Sequence, residues 1–185
     1  MGTIVAVAIL AAVGFWAVAA YNGLVAKRNQ VRNAWSQIDV QLKRRHDLIP
    51  NLVETVKGYL AHERGVLESV TQARSAALSA GDDVAARAAA ENQLTRALKS
   101  VFAIAEAYPE LKASQNMLAL QEELSTTENR IAFARQFYND AVLAYNVACE
   151  SVPTNLIARS FGFRTEPMFE LDDVAERAVP KVSFG

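Results

Sequence analysis

His46, His62 and Cys149 are the side chains in this sequence best equipped for nucleophilic or metal chemistry. His62-Glu63 opens the pattern in which two histidines a helical turn apart bind zinc and the glutamate between acts as a base. The chain continues Arg64-Gly65-Val66, so valine stands where the second histidine is due. Neither histidine has a glutamate three residues before it, which removes the ligand spacing of carboxylate-bridged di-iron bundles. No phosphate-binding loop, dinucleotide fingerprint or nucleophile elbow is present. A lone cysteine cannot close an intramolecular disulfide or build a cysteine zinc site, and the apolar neighbours of Cys149 suit a small core residue. These absences lead to an expectation of no enzymatic activity, no metal and no cofactor.

The densest polar run is Gln41-Leu42-Lys43-Arg44-Arg45-His46-Asp47. Two readings are open. Lys43, Arg44, Arg45 and Asp47 could form a partner-docking patch at the tip of a helical hairpin. Alternatively the cations complement the dipole at a helix C-terminus while Asp47 caps the next helix, which needs nothing beyond helix physics. Asn139 and Asn146 each follow a tyrosine, as Asn22 follows Tyr21, and this pairing reads as aromatic bodies in a core with polar tips at its edge. The 19 basic and 20 acidic residues leave a net charge of -1, so no general field would draw in nucleic acid.

Elements that could carry these residues are helical. The chain of 185 residues is 51% apolar and only 8% aromatic, is rich in alanine, and has 8 glycines and 5 prolines, which favours helix over sheet and one core over several. No charged residue occurs from Gly2 to Ala26, and Ile4 to Ala20 is almost wholly apolar. At ~1.5 Å per residue, about 20 such residues cross a ~30 Å hydrocarbon layer. Trp16 and Tyr21 fall where amphipathic rings settle among headgroups. A cleavable signal peptide competes through Ala17-Val18-Ala19, yet its basic leader and shorter apolar core are missing. Residues 1–26 are therefore expected to be a retained membrane anchor, with Trp16, Tyr21, Lys27 and Arg28 at the interface. Lys27, Arg28 and Arg32 precede any acid, so the body is expected on the cytoplasmic side with the N-terminus outside; a body on the outer side is the alternative.

Beyond the anchor, residues 27–151 are expected to form an antiparallel four-helix bundle. Leu24, Val31, Trp35, Ile38 and Leu42 mark helix one, ending near Arg45-His46-Asp47, with Pro50 in the first turn of helix two, where its missing N–H is harmless. Leu52, Val56, Tyr59, Val66, Val70, Ala73 and Ala77, widened by Val53, Leu60 and Leu67, carry helix two. Gly81 suits a left-handed C-cap, and Asp82 or Asp83 an N-cap. Helix three spans about 84–107 through Leu94, Leu98, Val101 and Ala105, and Tyr108-Pro109 closes it. Helix four keeps 4-then-3 spacing from Ala113 through Met117, Leu124, Ile131, Tyr138 and Tyr145 to Ala148, which implies a slight left-handed supercoil. Pro153 ends it. In the tail, 152–185, Leu156, Ile157, Phe161 and Phe163 need burial against the bundle foot, a neighbouring subunit or the bilayer; Phe161 and Phe163 are the interface candidates there.

The stretches Trp35 to Arg45, Asp47 to Val53 and Lys57-Gly58-Tyr59 resemble the LemA family of bacterial membrane proteins. So do Leu120-Gln121-Glu122-Glu123-Leu124, Glu128-Asn129-Arg130-Ile131-Ala132 and Ala134-Arg135-Gln136-Phe137-Tyr138-Asn139. The resemblance runs from about Tyr21 to Phe169, with a departure at Asn116-Met117. It implies an N-terminal transmembrane helix, a four-helix bundle and, through relatives tied to magnetosome formation, a part in membrane organisation; it implies no catalytic residue. The expected function is a self-associating scaffold that organises or remodels the bilayer, with small residues such as Ala8, Ala12 and Gly14 permitting close contact in lipid. A monomeric adaptor or sensor using the Lys43–Asp47 patch is the alternative.

Overall fold

The structure, a computed structural model, describes residues 1–59 and 63–170. His62 and Leu60, read above for zinc and for the core, lie outside those residues. All regular structure among the described residues is helical: α1 Gly2–Lys57, α2 Arg64–Ser79, α3 Val84–Ala105, α4 Pro109–Lys112, α5 Gln115–Glu150 and α6 Thr154–Ser160. The chain is an all-α protein with a long apolar N-terminal helix. By compactness it divides into two units, one built on residues 1–45 with 124–168, the other on residues 46–123.

The helix end expected at Arg45-His46-Asp47 is absent. α1 runs through these residues and through Pro50 to Lys57, and Gly58-Tyr59 makes the turn instead. Leu42, His46, Ile49, Leu52 and Val56 are all buried, so a single inward stripe at helical spacing passes the polar run without interruption. Burying that stripe outweighs the local signals for a stop. Proline inside a helix leaves the carbonyl four residues back without its N–H partner. Here that carbonyl belongs to His46, and Arg74 Nε of α2 donates to it at 2.8 Å.

In the first unit, α1 and α5 pair antiparallel. Arg45 meets Glu128 at 2.8 Å, and ten residues back along α1 and ten forward along α5 the rings of Trp35 and Tyr138 stand 5.3 Å apart. Leu24, Val31, Ala34, Ile38 and Leu42 of α1 are buried, as are Leu124, Ile131, Ala134, Tyr138, Ala141 and Tyr145 of α5. The apolar segment at the start of α1 contains no buried residue, and it is long and apolar enough to cross a membrane.

In the second unit the core is shared by the end of α1, α2, α3, α4 and the first turns of α5. Leu52, Val56, Val70, Ala77, Leu94, Val101, Leu111 and Met117 are buried there, and α2 packs along α3. Gly81 takes the left-handed conformation at φ +67° that a side chain would strain, and the Asp83 carboxylate caps α3 by accepting from Ala86 N–H at 2.6 Å. Pro109 opens α4 at its first turn, and Ala113 falls outside α5, which begins at Gln115.

Candidate functional site

Three arrangements stand out in the first unit. Beside the anchor, Tyr21 makes edge contacts with Phe161 and Phe163, ring centroids 4.9 and 5.6 Å away. The Arg28 guanidinium lies 5.0 Å from the centre of the Phe163 ring, a cation-π contact, and among the described residues the buried Arg28 Nε has no hydrogen-bond acceptor. What brings Phe163 here is the end of α6. Gly162, at φ +72°, sends its N–H to the Arg159 carbonyl while Phe163 N–H reaches the Ala158 carbonyl at 2.9 Å. That is a Schellman cap, with glycine at the position that requires the left-handed turn.

From that cap the chain runs back along α5 as a strap. Asn146 donates from Nδ2 to the Glu166 carbonyl and accepts on Oδ1 from Glu166 N–H, both at 2.9 Å. The Tyr138 hydroxyl donates to the Pro167 carbonyl at 2.9 Å. Burial, helped by nearby Glu166, pushes the Tyr138 hydroxyl up to about 12. Burial also pushes Tyr145 up to about 12, and its hydroxyl donates to the Cys149 sulfur. Burial raises the Cys149 thiol as well, which leaves less of the reactive thiolate at neutral pH.

The third arrangement is an open groove of about 580 Å³ between α1 and α5, with Val40 on one wall and Phe133 and Phe137 on the other. Phe133 is 74% exposed, Val40 62% and Phe137 42%. Contiguous exposed apolar side chains of this kind make the groove a candidate interaction surface.

In the second unit His46 Nε2 lies 2.9 Å from Glu91 Oε1, and both side chains are buried. A buried imidazole-carboxylate pair could orient a base. Among the described residues, however, no three histidine, cysteine or acidic side chains converge to hold a metal ion, and the pair satisfies two polar groups that burial would otherwise penalise.

The sequence-derived sites fall as follows. Trp16 and Tyr21 are partly exposed near the end of the apolar segment. Lys27 and Arg28 follow on the same helix. Phe161 is exposed, and Phe163 is buried. The Lys43–Asp47 patch requires correction, because these residues lie inside α1 and not at a hairpin tip. Arg45 is only 1% exposed and pairs with Glu128, since the inward stripe of α1 takes it into the helix interface. Lys43, Arg44 and Asp47 remain on the surface. Sequence reasoning missed Glu91, Arg74 and an exposed flank of α5. Only the last left a signal, a second 4-then-3 rhythm containing Phe133 and Phe137, each one residue before a core position and so on the flank of α5 that adjoins α1.

The architecture is that of an all-helical protein with a candidate membrane anchor. The sequence signature of the LemA family covers residues 34–184, and the chain belongs to that family. It is 26% identical to Protein LemA of Metamycoplasma hominis over 83% of this chain and 70% of that one. It is 25% identical to Magnetosome protein MamQ of Magnetospirillum gryphiswaldense over 80% of this chain, and spans 64% of that relative's length. A second magnetosome protein, from Paramagnetospirillum magneticum, is 23% identical over 81% of this chain and 64% of its own.

Proposed function

We propose that this protein is a membrane-anchored, self-associating helical scaffold that organises or remodels the bacterial inner membrane. The observation that carries the reading is the exposed Phe133-Phe137-Val40 groove on the helix pair that continues, without a loop, from the apolar segment of α1. That two relatives in sequence are named Magnetosome proteins adds support. Neither those names nor Protein LemA denotes a catalytic activity, and the reading is of a non-enzyme. Measuring the size of the full chain in mild detergent tests it. An oligomer is expected, and a uniform monomer that needs a second protein to act would replace the scaffold with the adaptor. That alternative is weakened by the burial of Arg45 in the middle of its docking patch.

The body is assigned to the cytoplasm because Lys27, Arg28 and Arg32 flank the C-terminal end of the apolar segment, against a lone α-amine on the other side. A cysteine placed at exposed Ser79 in a Cys149→Ser background should resist a membrane-impermeant thiol reagent in intact cells. Ready labelling would put the body on the periplasmic side.

A further inference from the structure

An exposed stripe on the flank of α5 beside α1 is self-complementary. Thr126, Arg130, Phe133, Phe137, Asp140 and Ala144 follow one another at spacings of 4, 3, 4, 3 and 4, and every one of them is exposed. The two ends mirror each other about a point midway between the phenylalanines: small opposite small, cation opposite anion, ring opposite ring. A twofold axis crossing α5 there places Arg130 against Asp140 of a second copy, Phe133 against Phe137, and Thr126 against Ala144. Such an isologous contact uses one patch twice and closes on itself. Two copies packed side by side in the same direction would set Arg130 on Arg130 and Asp140 on Asp140, which is repulsive. The charge order therefore selects the antiparallel pairing.

Direction has a consequence for the anchors. In this unit α1 runs antiparallel to α5, so a twofold axis across α5 also sends the two N-terminal segments opposite ways. The pairs Arg45–Glu128 and Trp35–Tyr138 put Ile38 beside the axis. From Ile38 back to Ala20 is ~27 Å of helix, so the two segment ends lie ~54 Å apart. The geometry points to α5 as the homotypic contact by which two copies, anchored in two apposed bilayers, hold those bilayers ~54 Å apart. This rests on the self-association proposed above and names its surface, its direction and its occupant.

Full-length Cys149→Ser chains carrying Thr126→Cys or Ala144→Cys are reconstituted into separate vesicles of phosphatidylethanolamine and phosphatidylglycerol. On mixing under mild oxidation, disulfide-linked dimers containing one of each variant are expected, together with vesicle clustering seen by light scattering; neither variant should link to itself. Arg130→Asp should abolish both signals, and Arg130→Asp with Asp140→Arg should restore them, because the swapped charges face each other again. Self-linking of either variant, linking only when both share one vesicle, or no rescue by the charge swap would each overturn the proposal. Size measurement of the same chains in detergent separates the two readings. Oligomers without mixed disulfides remove the antiparallel contact alone, whereas monomers throughout remove the scaffold as well.

Discussion

Arg74 supplies to the His46 carbonyl the hydrogen bond that Pro50 withholds, donating from Nε at 2.8 Å. The donor comes from a different helix, so the proline that should break α1 also ties α2 to it. An unmet buried carbonyl costs about 1–3 kcal/mol. Arg74→Met should therefore destabilise the chain by about that amount, read by urea unfolding in detergent. In a Pro50→Ala background the backbone N–H restored at that position can take over, and the same Arg74 substitution should cost much less. An equal cost in both backgrounds would mean that Arg74 acts through packing of its stem alone.

His46 and Glu91 face each other at 2.9 Å with almost no solvent access. Removing one member of such a pair strands the other, typically at about 3–5 kcal/mol, while replacing both with apolar residues is often close to neutral. Glu91→Leu and His46→Leu should each lower the unfolding midpoint sharply, and the double variant should recover most of the loss. Additive losses in this double-mutant cycle would show that the two side chains do not depend on each other.

Helical class, the apolar segment and the inward stripes of α3 and α5 are legible from spacing alone, because burial of one face imposes a 4-then-3 rhythm. Leu94, Leu98, Val101, Tyr138 and Tyr145 are buried as that rhythm requires. The turn at Gly81 and the cap at Asp83 are equally legible, since each depends on one residue type. Pro50 misleads because its local cost is fixed by sequence while its compensation, Arg74, lies on another helix. Arg45 misleads for a related reason: a cation that suits a helix end is indistinguishable in sequence from one paired with Glu128 across a helix interface. The candidate surface on α5 is hidden behind the stronger core stripe of the same helix.

Tyr138 and Tyr145 are both held up at about 12 by burial. A folded-state value above the ordinary 10 means that the native state keeps its proton more tightly than the unfolded chain does. The stabilisation is fully present below pH 10 and is lost as pH rises toward 12. Loss of the proton also abolishes the Tyr138 bond to the Pro167 carbonyl. Phenolate absorbance should show two late-titrating tyrosines, with unfolding setting in over that interval, and Tyr138→Phe should flatten the alkaline decline. Titration of all five tyrosines near pH 10 would contradict the burial described.

Phe161 and Phe163 are two residues apart, and the Schellman cap at Gly162 sends them to different environments. Phe163 is 8% exposed beneath Arg28, whereas Phe161 is 63% exposed and touches Tyr21 only edge-on. Truncating a buried phenylalanine costs about 3–5 kcal/mol, and an exposed one far less. Phe163→Ser should therefore lower thermal stability strongly and expose the strap to protease, since the anchorage of residues 161–168 begins at that ring. Gly162→Ala should do the same more mildly, by about 1–2 kcal/mol, because alanine must adopt the left-handed conformation at φ +72°. Phe161→Ser should leave stability nearly unchanged and instead weaken association of the detergent-free chain with lipid vesicles, its ring being available to the headgroup region. Equal thermal losses for the two serine variants would show that both rings serve the fold. If neither variant changes stability, protease sensitivity or lipid association, the strap contributes nothing to this end of the molecule.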